Sequence, residues 1–275
     1  MADKVRLDKR LLELRLFPSR QQAQAAIMAG KVWVNGQRET KAGRLVDDRC
    51  EIEVRGNDQP YVSRGGLKLA KALQMFRVDV AGKTALDIGA STGGFTDCLL
   101  KHGAVKVYAV DVGYGQLDWN LRHDPRVVNL ERHNIRTLPE ELIAEPVDLC
   151  TVDVSFISIA KVLQPAIKFL KESADVITLI KPQFEAGPQN VGKGGIVRNP
   201  AIHVQVLREV FVQLDSLGFV LCGLSFSPIR GGHGNIEFLA HWRLSDHGSV
   251  GEGDLAAWVP IMEEVVDQAH ESLEK

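Results

Sequence analysis

The sequence predicts an α/β domain built on a mostly parallel sheet whose last strand runs antiparallel, preceded by a small α+β domain. Three observations carry this. From residue 83 onward, short aliphatic runs alternate with helical segments, as expected of strands covered on both faces and joined by helical crossovers. The last two runs, 219–226 and 236–242, are joined by a short Pro- and Gly-containing segment that leaves no room for a crossover, so that pair is antiparallel. The first 55 or so residues follow a different pattern, two helical segments and a hairpin, and carry a different charge.

In the front region, Val5, Leu7, Leu11, Leu12, Leu14 and Leu16 form a helical stripe over residues 5–16, ringed by Arg6, Lys9, Arg10 and Arg15. Phe17-Pro18-Ser19 interrupts it. Ser19 is positioned to cap a second helix from Arg20 to Ala29, which Gly30 ends. Val32-Trp33-Val34 then alternates into Asn35-Gly36, a two-residue hairpin turn, and a further strand is expected at 50–54.

The chain has 275 residues, 45% of them hydrophobic, ample for one medium and one small core. Its apolar runs are far shorter than a membrane span, and its N-terminus lacks the apolar core of a signal peptide. Cys50, Cys98, Cys150 and Cys222 are dispersed without a C-x-x-C pair, so they are expected as reduced core fillers in a cytoplasmic protein, with no metal site. The net charge of −2 conceals a division: residues 1–77 hold 16 Lys and Arg against 9 Asp and Glu, net +7, whereas residues 78–275 are at −9. A basic front half points to an anionic partner.

The front region resembles the S4 RNA-binding domain over residues 5–54, through Arg6-Leu-Asp-Lys-Arg-Leu, Ser19-Arg20-Gln-Gln-Ala, Ile27-x-x-Gly30-x-Val32 and Val34-Asn35-Gly36. The resemblance implies that Arg6, Arg20, Lys31 and Lys41 contact RNA phosphates, which would position the protein without reading sequence. The S4-like domain is expected over 1–58, with a polar linker over 59–66 that contains Arg64, a further candidate RNA contact. A helix over 67–76 follows, carrying Lys68 and Lys71.

In the second region, strands are expected at 84–88, 105–110, 127–130, 147–152 and 175–180, and helices at 96–101, 159–170 and 201–217. A C-terminal extension, 247–275, holds one more helix over 254–273, to which the sequence assigns no chemistry. The first strand runs into Asp87-Ile-Gly89-Ala90-Ser91-Thr92-Gly93-Gly94, a small-residue turn before a helix, where a ligand can approach the backbone closely. A dinucleotide loop would place glycine where Ser91 stands, and a carboxylate at Asp87 would repel a pyrophosphate. It suits the cationic amino-acid end of S-adenosylmethionine. Asp111, ending the second strand, can accept hydrogen bonds from ribose hydroxyls, and Asn134, after the third, is placed by the adenine.

Four charged residues should emerge at the same sheet edge: Asp153 after the fourth strand, Lys181 after the fifth, Glu237 at the start of the last, and Lys68 from the preceding helix. Two lysines and two carboxylates are an unusual way to stabilise a core. They suit methyl transfer to a weakly acidic hydroxyl. Lys181 is expected as the base, with Asp153 orienting it and Lys68 and Glu237 positioning a ribose.

These four positions resemble the K-D-K-E tetrad of FtsJ-like ribose 2′-O-methyltransferases, whose sheet is the Rossmann-like class I methyltransferase sheet. The whole chain is similar to the TlyA family, which joins an S4 domain to such a domain. The similarity rests on Val62-Ser-Arg-Gly-Gly-x-Lys68-Leu69, Asp87-Ile-Gly-Ala-Ser-Thr-Gly-Gly-Phe-Thr-Asp97, Asp153-Val-Ser-Phe-Ile-Ser158, Lys181-Pro-Gln-Phe-Glu185, Gly194-Gly-Ile-Val-Arg198 and Gly234-Asn-x-Glu237. It implies S-adenosylmethionine-dependent 2′-O-methylation of cytidine in ribosomal RNA, with the ribosomal subunit as partner. Some members carry an R-x-W-V linker motif, where this chain has Gln59-Pro60-Tyr61-Val62. Two other readings are a non-catalytic ribosome assembly factor and, since the family has also been labelled hemolysin, a membrane-active protein. The latter would need a spanning or strongly amphipathic element.

Overall fold

The computed structural model of the chain describes residues 4–14, 16–17, 19–54, 60–244 and 252–273. It divides into two compact units, 1–59 and 60–275. Arg15, Pro18, residues 55–58 and Gln59 of the expected linker lie outside the described residues.

In the first unit, β1 (Val5–Arg6) pairs antiparallel with β4 (Leu45–Val46), and α1 (Leu7–Glu13) and α2 (Arg20–Met28) pack over a three-stranded sheet of β3 (Gln37–Glu39), β2 (Val32–Val34) and β5 (Ile52–Val54). The stripe expected as one helix over 5–16 is therefore a strand followed by a shorter helix. The pairing of Val5 with Val46 and the Leu7 N–H bond to the Arg44 carbonyl hold the first residues extended. Ser19 caps α2 by accepting from the Gln22 N–H, and Asn35 and Gly36 both take the positive φ of the hairpin turn. Leu7, Leu11, Ala23, Ile27, Val32, Val34 and Val46 make the core.

The second unit holds a seven-stranded sheet: β6 (Thr84–Ile88), β7 (Lys106–Asp111), β8 (Val127–Glu131), β9 (Val147–Val152), β10 (Leu170–Ile180), β11 (Phe219–Phe226) and β12 (Phe238–Leu244), in spatial order β11-β12-β10-β9-β6-β7-β8. β8, β7, β6, β9 and β10 pair in parallel, and β12 lies antiparallel between β10 and β11. One face buries Leu69, Leu73, Phe95 and Leu99 of α3 (Gly65–Phe76) and α4 (Gly94–Lys101). Beyond β7 lies the short α5 (Trp119–Arg122). The other face buries Val162 and Leu163 of α6 (Ile159–Ala166), Val206, Val210 and Phe211 of α8 (Pro200–Asp215), and Met262 and Val266 of α9 (Glu252–Leu273). The single-turn α7 (Pro182–Glu185) follows β10. Truncating a fully buried Leu such as Leu99 to Ala would cost about 2–5 kcal/mol.

Two expectations are revised. Residues 60–66 belong to the second unit: the Val62 N–H bonds Asp97 Oδ2 at 2.8 Å, and the Tyr61 ring packs so closely on Gly66 that a Cβ there would meet it at 2.3 Å. Of the cysteines, Cys98 and Cys150 are buried, whereas Cys50 is half-buried and Cys222 exposed.

Candidate active site

The turn after β6 is held by backbone bonds from the Gly89 and Ala90 N–H groups to the Val110 carbonyl. Gly89 has φ +86°, and a Cβ there would stand 2.4 Å from the Asp153 carbonyl oxygen. The turn thus lies directly on the end of β9, a contact only glycine permits. Gly93 (φ +92°) opens α4, and Gly94 admits the Ser63 hydroxyl, which a Cβ would meet at 2.2 Å.

Asp87 does not face the ligand side as the sequence reading placed it. It is fully buried and accepts from Thr96 Oγ1 at 2.7 Å and Thr151 Oγ1 at 2.9 Å, tying β6 to α4 and β9. Burial pushes its carboxyl up to about 6, against the pull of the two hydroxyls.

Two cavities flank the turn and share Gly89, Ser91, Asp153 and Ser155. The first, of about 440 Å³, has apolar walls from Ile88, Val110, Val112, Ile135, Ile157 and Val162, and includes Asp111 and Asn134. Asp111 accepts from the Ser91 and Gly113 N–H groups, each at 2.7 Å, and Asn134 Oδ1 accepts from the Arg136 N–H. The second, of about 310 Å³, is polar. Ser63, Arg64, Lys68, Ala90, Thr92 and Lys181 line it, with the segment Ile229–Gly232 as one wall.

The four charged residues form two ion pairs here. Lys181 Nζ lies 2.6 Å from Asp153 Oδ1, off the angle of a hydrogen bond, and donates instead to Ser155 Oγ at 3.2 Å. Lys68 donates directly to Glu237 Oε2. Glu237 is only 2% exposed, so it stands behind Lys68 rather than on the cavity wall. Burial raises its carboxyl above the ordinary range, opposed by Lys68. Gly231 covers it so tightly that a Cβ would fall 1.9 Å from Glu237 Oε1.

The basic candidates of the first unit are less free than the sequence suggested. Asp8, fully buried, accepts from both Arg6 (3.1 Å) and Arg20 (3.0 Å), and from Gln24 at 2.7 Å. Arg6 is its strongest partner and holds its carboxyl well below the ordinary range. Both guanidinium groups stay partly open to solvent. Lys31 is half-buried and Lys41 exposed, without a salt bridge among the described residues. Arg64 is exposed and belongs to the second unit, at the polar cavity.

Sequence reasoning missed Ser155, Ser63, the wall Ile229–Gly232 and Phe156. Phe156 is 88% exposed at φ +66° and lies against Phe184, ring centroids 4.8 Å apart. Its neighbours in the Asp153-Val-Ser-Phe run were the available signal. Among the described residues there is no metal-binding cluster, and no helix is long and apolar enough to cross a membrane.

Known proteins resemble this chain over most of its length. Residues 61–244 match the FtsJ-like methyltransferase family and residues 5–50 the S4 domain. A candidate rRNA methyltransferase of Bacillus subtilis, YqxC, is 48% identical over 273 residues, covering 99% of this chain and 96% of that protein. The 16S/23S rRNA (cytidine-2′-O)-methyltransferase TlyA of Mycobacterium tuberculosis is 45% identical over 239 residues, 86% of this chain and 89% of that one. Among solved structures, a candidate hemolysin from Streptococcus thermophilus matches with a TM-score of 0.75 at 44% identity, covering 100% of this chain and 98% of its own.

Proposed function

The chain belongs to the FtsJ-like methyltransferases, with an S4 domain ahead of the methyltransferase domain, and we propose that it methylates a cytidine ribose 2′-hydroxyl in ribosomal RNA, using S-adenosylmethionine, in the cytoplasm. The observation that carries the reading is the meeting of two Lys–carboxylate pairs beside the glycine turn, where a polar and an apolar cavity adjoin.

The residues fit the cofactor. Apolar walls suit an adenine, Asp111 and Asn134 offer polar groups for the nucleoside, and the turn 89–92 with Asp153 spans both cavities. Bound there, S-adenosylmethionine supplies an electrophilic sulfonium methyl. The chain's own residues supply the rest. Arg64 and Lys68, at the polar cavity, hold the acceptor's phosphate and ribose. Glu237 fixes Lys68 from behind. Once Nζ of Lys181 has released a proton to solvent, the neutral amine takes the proton of the 2′-hydroxyl, Ser155 aims that nitrogen, and Asp153 stabilises the ammonium formed again. Holding the reacting atoms in line can lower the barrier by about 7–11 kcal/mol, and the positioned base adds about 10²–10⁴-fold. Phe156 offers an exposed ring face to an unstacked base, and Arg6, Arg20, Lys31 and Lys41 supply phosphate contacts.

The test is transfer of labelled methyl to ribosomal RNA and intact subunits by the wild type and by Lys181→Ala, with 2′-O-methyl mapping of the product. Labelling by the wild type alone, on cytidine ribose, supports the reading. Equal labelling by both overturns the base assignment, and RNA binding with no labelling by the wild type leaves the assembly-factor reading in its place.

A further inference from the structure

The sequence assigned no chemistry to the C-terminal helix. In the structure its last turn grips the wall of the polar cavity. Arg230, on that wall, directs three of its N–H groups to main-chain carbonyls. Nε and Nη2 donate to the Leu273 oxygen at the end of α9 (2.9 and 2.6 Å), and Nη1 donates to the Gly234 oxygen (3.1 Å). A guanidinium at a helix C-terminus meets both free carbonyls and the negative end of the helix dipole.

A second connection runs beneath it. His270 of α9 meets His203 of α8, Nε2 to Nδ1 at 3.0 Å, and the other ring nitrogen of His203 faces the Val197 carbonyl at 3.1 Å. The Val197 N–H donates to Asn235 Oδ1, and the Asn235 side chain donates in turn to the Gly195 carbonyl. The Asn235 carbonyl accepts the Gly231 N–H. His203 is fully buried and Asn235 is 1% exposed, so the inner bonds, His203 to Val197 and Val197 to Asn235, are shielded from water. The first connection anchors Arg230, the chain neighbour of Gly231, and the second ends on the Gly231 N–H itself; Gly231 packs against Glu237, which holds Lys68.

We propose that α9 is a clamp on the acceptor side of the active site, with Arg230 and the His203–His270 pair as positioning residues. They fix the segment 229–235, and through Gly231 and Glu237 the placement of Lys68. Lys68 in turn sets the acceptor ribose relative to Lys181. This rests on the methyl-transfer reading of the site. Loss of the clamp should leave cofactor affinity nearly unchanged: Gly89–Thr92 line the polar cavity opposite 229–232 but bond to neither connection, and Asp111 and Asn134 lie in the apolar cavity.

The test uses the full chain with Arg230→Ala, Arg230→Lys, His270→Ala and the Arg230→Ala/His270→Ala double variant. Arg230→Ala is expected to lower kcat about tenfold, with the Kd for S-adenosylmethionine within about twofold of wild type. Amide exchange at 231–235 and in the last turn of α9 should quicken, and exchange in the turn 89–94 should not. Arg230→Lys should restore part of kcat. The double variant should fall short of the product of the two single effects, because both act on one segment. An unchanged kcat in Arg230→Ala beside an active wild type overturns the clamp, as does a loss confined to KM for RNA, which would make Arg230 a direct RNA contact. A melting-temperature drop with kcat intact would show mere structural support and overturns it too. If the wild type transfers no methyl, the functional reading fails instead, and the exchange measurement still decides whether the last turn of α9 holds the segment.

Discussion

Gly89→Ala tests the close packing on which the site is built. At φ +86° an L-residue is strained by about 1–2 kcal/mol. The added methyl would also stand 2.4 Å from the Asp153 carbonyl oxygen and 2.9 Å from its carbon, and a main-chain group cannot swing aside as a side-chain tip can. Overpacking of this kind costs about 1–3 kcal/mol. The sum, about 2–5 kcal/mol, lowers the melting temperature of a domain this size by roughly 4–20 °C. Gly115→Ala is the control: Gly115 has φ +70° but no atom within 4 Å of its Cβ position, so it should lose only the strain cost, about 2–8 °C. The two variants should diverge further in activity. Relief of the clash pushes Asp153 away, and with it the partner of Lys181. A misplacement of about 1 Å there is expected to cost on the order of 10²-fold in methyl transfer. Thermal melts, calorimetric titration with S-adenosylmethionine and labelled-methyl transfer measure the three effects. Equal melting temperatures and equal turnover for the two variants would refute the claim that the turn rests on Asp153.

Lys181→Ala should lower kcat by about 10²–10⁴-fold while cofactor affinity, by titration, stays near wild type. Glu237→Gln keeps the shape but leaves Lys68 facing a neutral partner in a buried position, so a loss of about 3 kcal/mol is expected in denaturant melts, together with a lower kcat. Asp87, raised by burial, holds its proton to about pH 6 when folded, but only to the ordinary carboxyl range when unfolded. Between those values the folded state binds more protons, so wild-type stability falls as pH rises through the window and the deficit is complete above it. The melting temperature of Asp87→Asn relative to wild type should therefore climb from pH 4 to pH 7. Asp8 has the opposite sign. Its stabilisation is present above the ordinary carboxyl value of 3.8 and fades as pH falls below it, so Asp8→Asn should destabilise at pH 7 and converge on wild type in acid.

The strands and helices were legible because their apolar periodicity is local. β6, β9 and β11 match their expected limits, and the late antiparallel strand followed from a connection too short for a helix. Strand ends also foretold where Asp153 and Lys181 emerge. What the sequence could not show was the direction a charged side chain takes once distant segments close around it. Asp87 ends up beneath the turn because two threonines, one nine and one 64 residues away, supply its hydrogen bonds. Arg6 and Arg20 read as free cations because an aspartate in the first turn of a helix is ordinarily a solvated group at the dipole's positive end. Here Gln24, sixteen residues on, closes over Asp8 and makes it the buried anchor of both guanidinium groups. The Lys68–Glu237 pair spans 169 positions, so its members could be placed at one sheet edge but not one behind the other.

Arg230 shows the limit most sharply. The sequence assigned Arg230 no role, and nothing in the residues at 252–273 marks them as its partners. Its partners are main-chain carbonyls, which every residue carries and no residue type announces. The apolar stripe of α9 predicts that the helix docks, and the length of the helix fixes where its last carbonyls fall. Only the fold brings that end to the 229–235 segment. A contact of this kind tolerates change in the helix sequence as long as its length and docking are kept. Substitutions in the last turn of α9 that preserve helicity and the His270–His203 bond should therefore leave methyl transfer intact. A proline that breaks the turn should reproduce the loss seen in Arg230→Ala, and full activity with the turn broken would show that Arg230 holds the segment without α9.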